Sequence, residues 1–192
     1  TALRKLTSTV FGEATFSDVK TGIGIVTANW LTERPMIFKG SVAQAHGRVS
    51  TFVPGFGVSI ADAVTASCSA YPFFEKETLT TGDGKTVTLI DGGYCANNPT
   101  LYAIAEAVQA LHRKSVDLRV VSVGVGVYPE PKSWASWFQR RFVSVQLLQK
   151  TLSVNTASME QLRDILFRDV PTVRINDTFE SPDARNFSFA RS

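Results

Sequence analysis

The chain has 192 residues, 44% of them apolar and 19% charged, and a net charge of +3. That apolar content is enough for one sizeable core and excludes general disorder away from the ends. Scattered basic residues exclude a nucleic-acid footprint, and no run approaches the ~20 apolar residues of a membrane span.

In chain order, Gly22 to Ala28 and Pro35 to Lys39 are short β-branched or aromatic runs bounded by glycine or proline, which predicts two strands. Ser59 is a candidate N-cap with Asp62 three positions on, so a short alanine-rich helix is expected through Ala66. The polar run Thr81 to Lys85 reads as a turn before a strand over Thr86 to Ile90, and the two flanking segments should pair as a hairpin. Pro99 opens a helix whose apolar positions Leu101, Ile104, Ala105, Val108 and Leu111 follow the 3.6-residue period. Leu118 to Val123 reads as a strand largely buried in a parallel sheet, ending at Gly124-Val125-Gly126. From Ser133 to Phe167 there is no glycine or proline, and two packed helices are expected with a break at Asn155 to Ser158. Thr172 to Asn176 is a last strand, and the tail from Glu180 to Ser192 is expected to be loose. Alternation of strands and helices predicts an α/β layered fold in a single domain.

The segment from Leu89 to Pro99 carries the chemistry. An apolar strand runs into Asp91, two glycines follow, and Asn97-Asn98-Pro99 leads into the next helix. A carboxylate at the end of a buried strand is held where the fold converges, and glycines let backbone or substrate approach it closely. No Gly-x-Ser-x-Gly occurs between Thr1 and Ser192. Gly57-Val58-Ser59 comes nearest, but it lacks the second glycine.

Three ordered pieces resemble the patatin-like phospholipases. Val64 to Phe74 is similar to that family's Ala-Ser-x-Ala-x-Pro-x-Phe segment; Asp91-Gly92-Gly93 with Asn97-Asn98-Pro99 is similar to its aspartate motif and the helix after it; and Val121 to Gly126 is similar to its Leu-Ser-Leu-Gly-Thr-Gly strand, with Val125 where threonine is usual. The resemblance implies a three-layer α/β/α sandwich with a mainly parallel central sheet, here incomplete at the N-terminal side. Core motifs span 59–126 and a helical region spans 133–168.

The resemblance further implies a lipid acyl hydrolase working through a Ser-Asp dyad, with Asp91 as general base and orienter. Gly92, Gly93, Ser67, Ser69, Pro72 and Asn97 would line the site. An aspartate near its reference pKa of about 3.9 is a poor base at neutral pH, so burial or neighbours must raise its basicity. The nucleophile and the family's glycine-rich oxyanion loop are expected upstream of Thr1, whose identity is itself that of a fragment or processed product. This chain alone is therefore expected to be inactive. The competing reading is an inactive binding or scaffold module with the same shell.

A narrower resemblance joins the Ser67 to Lys76 segment and the stretches Asn155 to Leu162 and Thr172 to Asn176 to bacterial patatin-like effectors switched on by cyclic nucleotides in antiphage defence. It implies membrane phospholipid as substrate and a cyclic dinucleotide as activator, with Arg163, Arg168 and Arg174 as phosphate-binding candidates. A homo-oligomer is compatible with this reading.

The remaining features are read plainly. Cys68 and Cys95 lack zinc-site spacing, so no metal or cofactor is expected, and reduced thiols suit a cytoplasmic protein. His46 and His112 read as structural. Gly22-Ile23-Gly24 lacks the third glycine of a dinucleotide fingerprint, and Gly124-Val125-Gly126 lacks the Lys and Ser/Thr of a phosphate loop. Trp134, Trp137, Phe138 and Phe142, interleaved with Lys132, Arg140 and Arg141, form either a membrane-facing amphipathic surface or a packed one.

Overall fold

The computed structural model describes residues 2–40, 53–126 and 143–176. His46, the aromatic cluster around Trp134 and the tail lie outside them. Strands β1 (Ile25–Asn29), β2 (Arg34–Phe38), β3 (Val53–Gly55), β4 (Glu77–Thr80) and β5 (Thr86–Asp91) form one sheet in the order β3-β2-β1-β5-β4, and β6 (Val120–Val123) pairs with β7 (Thr172–Ile175). The helices are α1 (Ala2–Phe11), α2 (Ile60–Ser67), α3 (Gly93–Ala96), α4 (Thr100–Gln109) and α5 (Val143–Leu166).

Alternation of side chains across β1 and β2 builds the layers. Ile25 pairs with Phe38 and Thr27 with Met36 on one face, whereas Val26 pairs with Ile37 on the other. The first face carries the main core, where Phe38, Met36 and Leu89 pack against Ile60, Ala63 and Ala66 of α2. On the second face Val26 and Ile37 pack against Ala96, with Cys95 and Tyr102 at the edge. Helices thus cover both faces, as the α/β/α expectation requires.

The strand directions differ from the mainly parallel sheet expected. Within the five-stranded sheet, β1 runs antiparallel to both β2 and β5, and β4 antiparallel to β5; the parallel pairs among the described residues are β2–β3 and β6–β7. For β1–β2 and β4–β5, loop length is the cause. Residues 30–33 and 81–85 are too few for a crossover connection, so each joins its strands as a hairpin. The left-handed backbone these turns demand falls on Glu33 in the first and Gly84 in the second.

Two further expectations are corrected. Gly22 to Gly24 precede β1 instead of forming its start. The strand at 118–123 pairs in parallel, but it is not largely buried: Val121 and Val123 are exposed together with their partners Val173 and Ile175, while Ser122 faces inward. Leu111 and His112 lie just past the end of α4, where His112 takes a left-handed conformation.

The expected break at Asn155 to Ser158 is also absent. α5 runs unbroken for 24 residues through those positions. Asn155 and Thr156 would ordinarily favour a cap or turn by bonding nearby backbone. Here Thr156 Oγ1 bonds back to the Leu152 carbonyl at 2.9 Å, and Asn155 Nδ2 reaches away from the helix to the Cys95 carbonyl at 3.2 Å. Tertiary partners have absorbed the polar groups that looked like a stop signal.

Ser59 caps α2 as expected, its Oγ accepting from the Asp62 N–H at 3.0 Å and donating to Asp62 Oδ2 at 2.7 Å. Ser59→Ala should cost about 1 kcal/mol in urea unfolding. An unchanged midpoint would mean that packing alone holds this helix end.

Candidate active site

Asp91 is the last residue of β5, opposite Thr27 of the neighbouring β1. Its placement comes from the end of α2. The Asp91 N–H donates to the Ser69 carbonyl at 3.0 Å and the Gly92 N–H to the Ser67 carbonyl at 3.2 Å, so the chain leaving α2 holds the end of β5 at this corner. Ser67 Oγ donates to the Val26 carbonyl at 2.7 Å and ties the same corner to β1.

The two glycines have different spatial reasons. A Cβ at Gly92 would lie 2.1 Å from the Val26 carbonyl oxygen, so the turn can cross β1 only where no side chain stands. Gly93 presents its N–H to Asp91 Oδ1 at 2.6 Å, and a Cβ there would come within 2.9 Å of that oxygen and 3.3 Å of Asn97 Oδ1. One carboxylate oxygen is therefore pinned by backbone, while Oδ2 makes no hydrogen bond among the described residues and can take a proton.

A cavity of about 330 Å³ opens at this point, lined by Asp91, Gly92, Gly93, Ser67 and Asn97 together with Gly24, Ile25, Val26, Ala96 and Pro99. A neighbouring cavity of about 450 Å³ shares Gly24, Val26 and Pro99, and beside it the buried Lys39 pairs with Glu106. Burial raises the pKa of Asp91 above its ordinary value, and the Gly93 N–H opposes this more weakly. The shift is in the direction a general base needs.

Of the sequence-derived site residues, five thus meet at one cavity. Ser69 and Pro72 do not line it. Ser69 is buried with its hydroxyl donating to the Thr65 carbonyl at 2.7 Å, and it serves Asp91 through its own carbonyl. Pro72 follows a cis peptide bond in an exposed turn. That turn is tied to the motif by Tyr94, whose hydroxyl donates to the Tyr71 carbonyl.

The thiols offer no alternative nucleophile. Burial, with a smaller push from the Asp91 charge, raises Cys95 to about 11, and its Sγ lies 3.3 Å from the Gly92 carbonyl. Cys68 is shifted upward by the same two causes. Both therefore stay protonated at neutral pH.

Sequence reading missed what holds the motif from the far side. Asn98 Oδ1 accepts from the Thr100 N–H at 3.2 Å and hydroxyl at 2.6 Å, and its Nδ2 donates to Glu160 at 3.2 Å. Glu160 pairs with Arg174 Nε at 2.7 Å, and Arg174 also donates to Ser122 Oγ at 2.8 Å. This network joins the start of α4 to α5, β6 and β7. It commits Arg174 to internal partners; Arg163 pairs with Asp164, and Arg168 is exposed. The signal that could have exposed the network is the polar series Asn155, Thr156 and Glu160 within an otherwise regular helical pattern.

Comparison with known families covers the first two of the three resembling pieces and stops short of Val121 to Gly126. The family described as patatin-like phospholipase matches residues 1–104. An Escherichia coli protein named "cUMP-AMP-activated phospholipase" is 63% identical over 183 residues, covering 95% of this chain and 57% of that protein. "Patatin-like protein 2" of Arabidopsis thaliana is 32% identical over 121 residues, covering 60% of this chain and 28% of the relative. The chain therefore spans little more than half of one relative and under a third of the other. With more than half of its length matched and the aspartate motif inside the match, this chain belongs to the patatin-like phospholipase family.

Proposed function

We propose that these residues are part of a single-domain lipid acyl hydrolase in which Asp91 is the general base of a Ser-Asp dyad. The observation that carries the reading is the Asp91 carboxylate, half-buried in a cavity, with one oxygen held by the Gly93 N–H and a raised pKa. A serine supplied by a segment outside these 192 residues would attack the ester carbonyl as its hydroxyl proton passes to Asp91. The same proton would then go to the departing alcohol when the tetrahedral adduct collapses. Water, deprotonated by the same carboxylate, would then attack the acyl-serine carbonyl, and the proton would return from Asp91 to the serine oxygen as the ester bond breaks and the fatty acid leaves.

The name of the E. coli relative supports phospholipid as substrate and a cyclic dinucleotide as activator. An activated membrane-degrading enzyme fits a role in antiphage defence. Among the described residues no helix is long and apolar enough to cross a membrane. Two free thiols fit a cytoplasmic protein that meets its lipid at the membrane surface. The scaffold reading draws on one fact, the lack of Gly-x-Ser-x-Gly within these 192 residues, and whether a longer polypeptide supplies that serine decides between the two.

The test uses a polypeptide that includes the upstream segment, incubated with phospholipid vesicles with and without cyclic UMP-AMP. Fatty acid release is expected with the nucleotide. Equal release without it would remove the activator from the proposal, and no release in either condition would remove the hydrolase reading.

A further inference from the structure

We infer that Asn155 and Thr156 of α5 are positioning residues for Asp91, an inference that rests on Asp91 being the general base proposed above. Asp91 depends on Gly93 for the hydrogen bond to Oδ1, and Gly93 opens α3, a helix of four residues. So short a helix has no stability of its own, because too few backbone bonds form to offset the ordering of its residues. Something outside it must hold it in place.

α5 does so at three points. Asn155 Nδ2 donates to the Cys95 carbonyl at 3.2 Å, inside α3. Asn97 Nδ2, just past the end of α3, donates to Thr156 Oγ1 at 3.0 Å. Leu152 closes over Gly93, where an added Cβ would sit 3.7 Å from its Cδ2. One turn and a half of α5 therefore clamps the segment whose N–H fixes the carboxylate.

The amide of Asn155 shows what the position is for. Its Oδ1 is buried and has no partner among the described residues, so its donation to Cys95 is not accompanied by an acceptor role. Asparagine is a poor helix former, and an unpaired buried carbonyl is unfavourable. Leucine or alanine would serve the helix better, and neither could hold the Cys95 carbonyl. The side chain is thus costly to α5 and useful to the loop.

The experiment compares Asn155→Ala, Asn155→Leu and Asn155→Gln in the polypeptide that includes the upstream segment. Turnover of a soluble nitrophenyl ester with cyclic UMP-AMP present and amide hydrogen exchange are both read. For Asn155→Ala, kcat is expected to fall by about 10- to 100-fold with KM unchanged, as a displaced catalytic group requires. Exchange is expected to quicken at residues 92–97 while β1 and β5 keep their protection. Asn155→Gln, which retains the donor, should keep more activity than Asn155→Leu; equal loss in both would overturn the role of the amide. Unchanged kcat in Asn155→Ala, or quickened exchange throughout the core strands, would overturn the inference in favour of a structural residue. If the parent polypeptide hydrolyses no ester even with cyclic UMP-AMP present, the general-base reading fails separately. The clamp is then decided by exchange alone: quickening confined to residues 92–97 supports it, and no change there removes it.

Discussion

Replacing Asp91 by asparagine is expected to lower kcat/KM by about 10⁴-fold in a longer polypeptide that supplies the proposed serine, with the fold intact. The size is that seen when the carboxylate of a hydrolytic triad becomes an amide. Asparagine keeps the shape and can still accept the Gly93 N–H at Oδ1, so the loop remains in place. What it loses is the oxygen that takes a proton. Stability should hold or rise slightly at neutral pH. Because the folded pKa of Asp91 lies above its unfolded value, the folded state disfavours the charged form, and stability falls as pH rises through the window from the ordinary value to the folded one. Asparagine removes that penalty.

The same shift sets the pH dependence of the parent. In the proposed role the carboxylate is the working form, so kcat/KM should be lost as pH falls through the raised pKa, and the acid limb should lie above the ordinary 3.8. Substantial hydrolysis by Asp91→Asn would sink the assignment. An acid limb at or below the ordinary value would show that the carboxylate is not held as burial dictates.

Gly92→Ala should destabilise the chain by roughly 3 kcal/mol, at the upper end of overpacking costs. A domain of this size should then melt roughly 10 °C lower, since each kcal/mol shifts Tm by a few degrees. Gly92 has ordinary right-handed helical dihedrals, so conformational freedom is not its reason for being glycine. On propensity alone alanine would be favoured there. Space reverses the sign, because the new Cβ would lie 2.1 Å from the Val26 carbonyl oxygen and 2.6 Å from its carbon, both backbone of a strand paired on both sides. Neither can move without breaking the sheet. Gly93 differs, for a Cβ there meets side-chain atoms of Asp91, Asn97 and Leu152, which can shift. Thermal unfolding of Gly92→Ala with an unchanged Tm would contradict this close crossing.

The features legible in the sequence share one property: each depends on residues a few positions apart. Ser59 with Asp62 marked the start of α2, the Thr81 to Lys85 turn marked a hairpin, and Pro99 marked the helix that begins at Thr100. A carboxylate followed by two glycines and Asn-Asn-Pro marked the corner where five of the seven expected site residues meet. The overlooked elements include β3, α3 and α1, a helix whose Thr7 hydroxyl lies 2.6 Å from that of Thr65 in α2, a contact that no local pattern announces.

What local spacing could not supply is direction, length and purpose across the fold. Strand alternation is the same in parallel and antiparallel sheets, so the antiparallel pairing of β1 with the distant β5 had to come from which strands meet. Asn155 and Thr156 carry local signals for a helix stop, yet α5 continues because the Cys95 carbonyl and Asn97 satisfy them from another element. Arg174 has the chemistry of a phosphate ligand, and only its place beside Glu160 and Ser122 gives it an internal role. By itself, then, the sequence determined the start of α2, the β4–β5 hairpin and the helix after Pro99, because short-range hydrogen bonds and steric limits decide those, and its ordered motifs marked the family. The tertiary structure decided strand direction, the unbroken α5 and the clamp on Asp91, because those depend on which distant polar groups find each other when both are taken out of water.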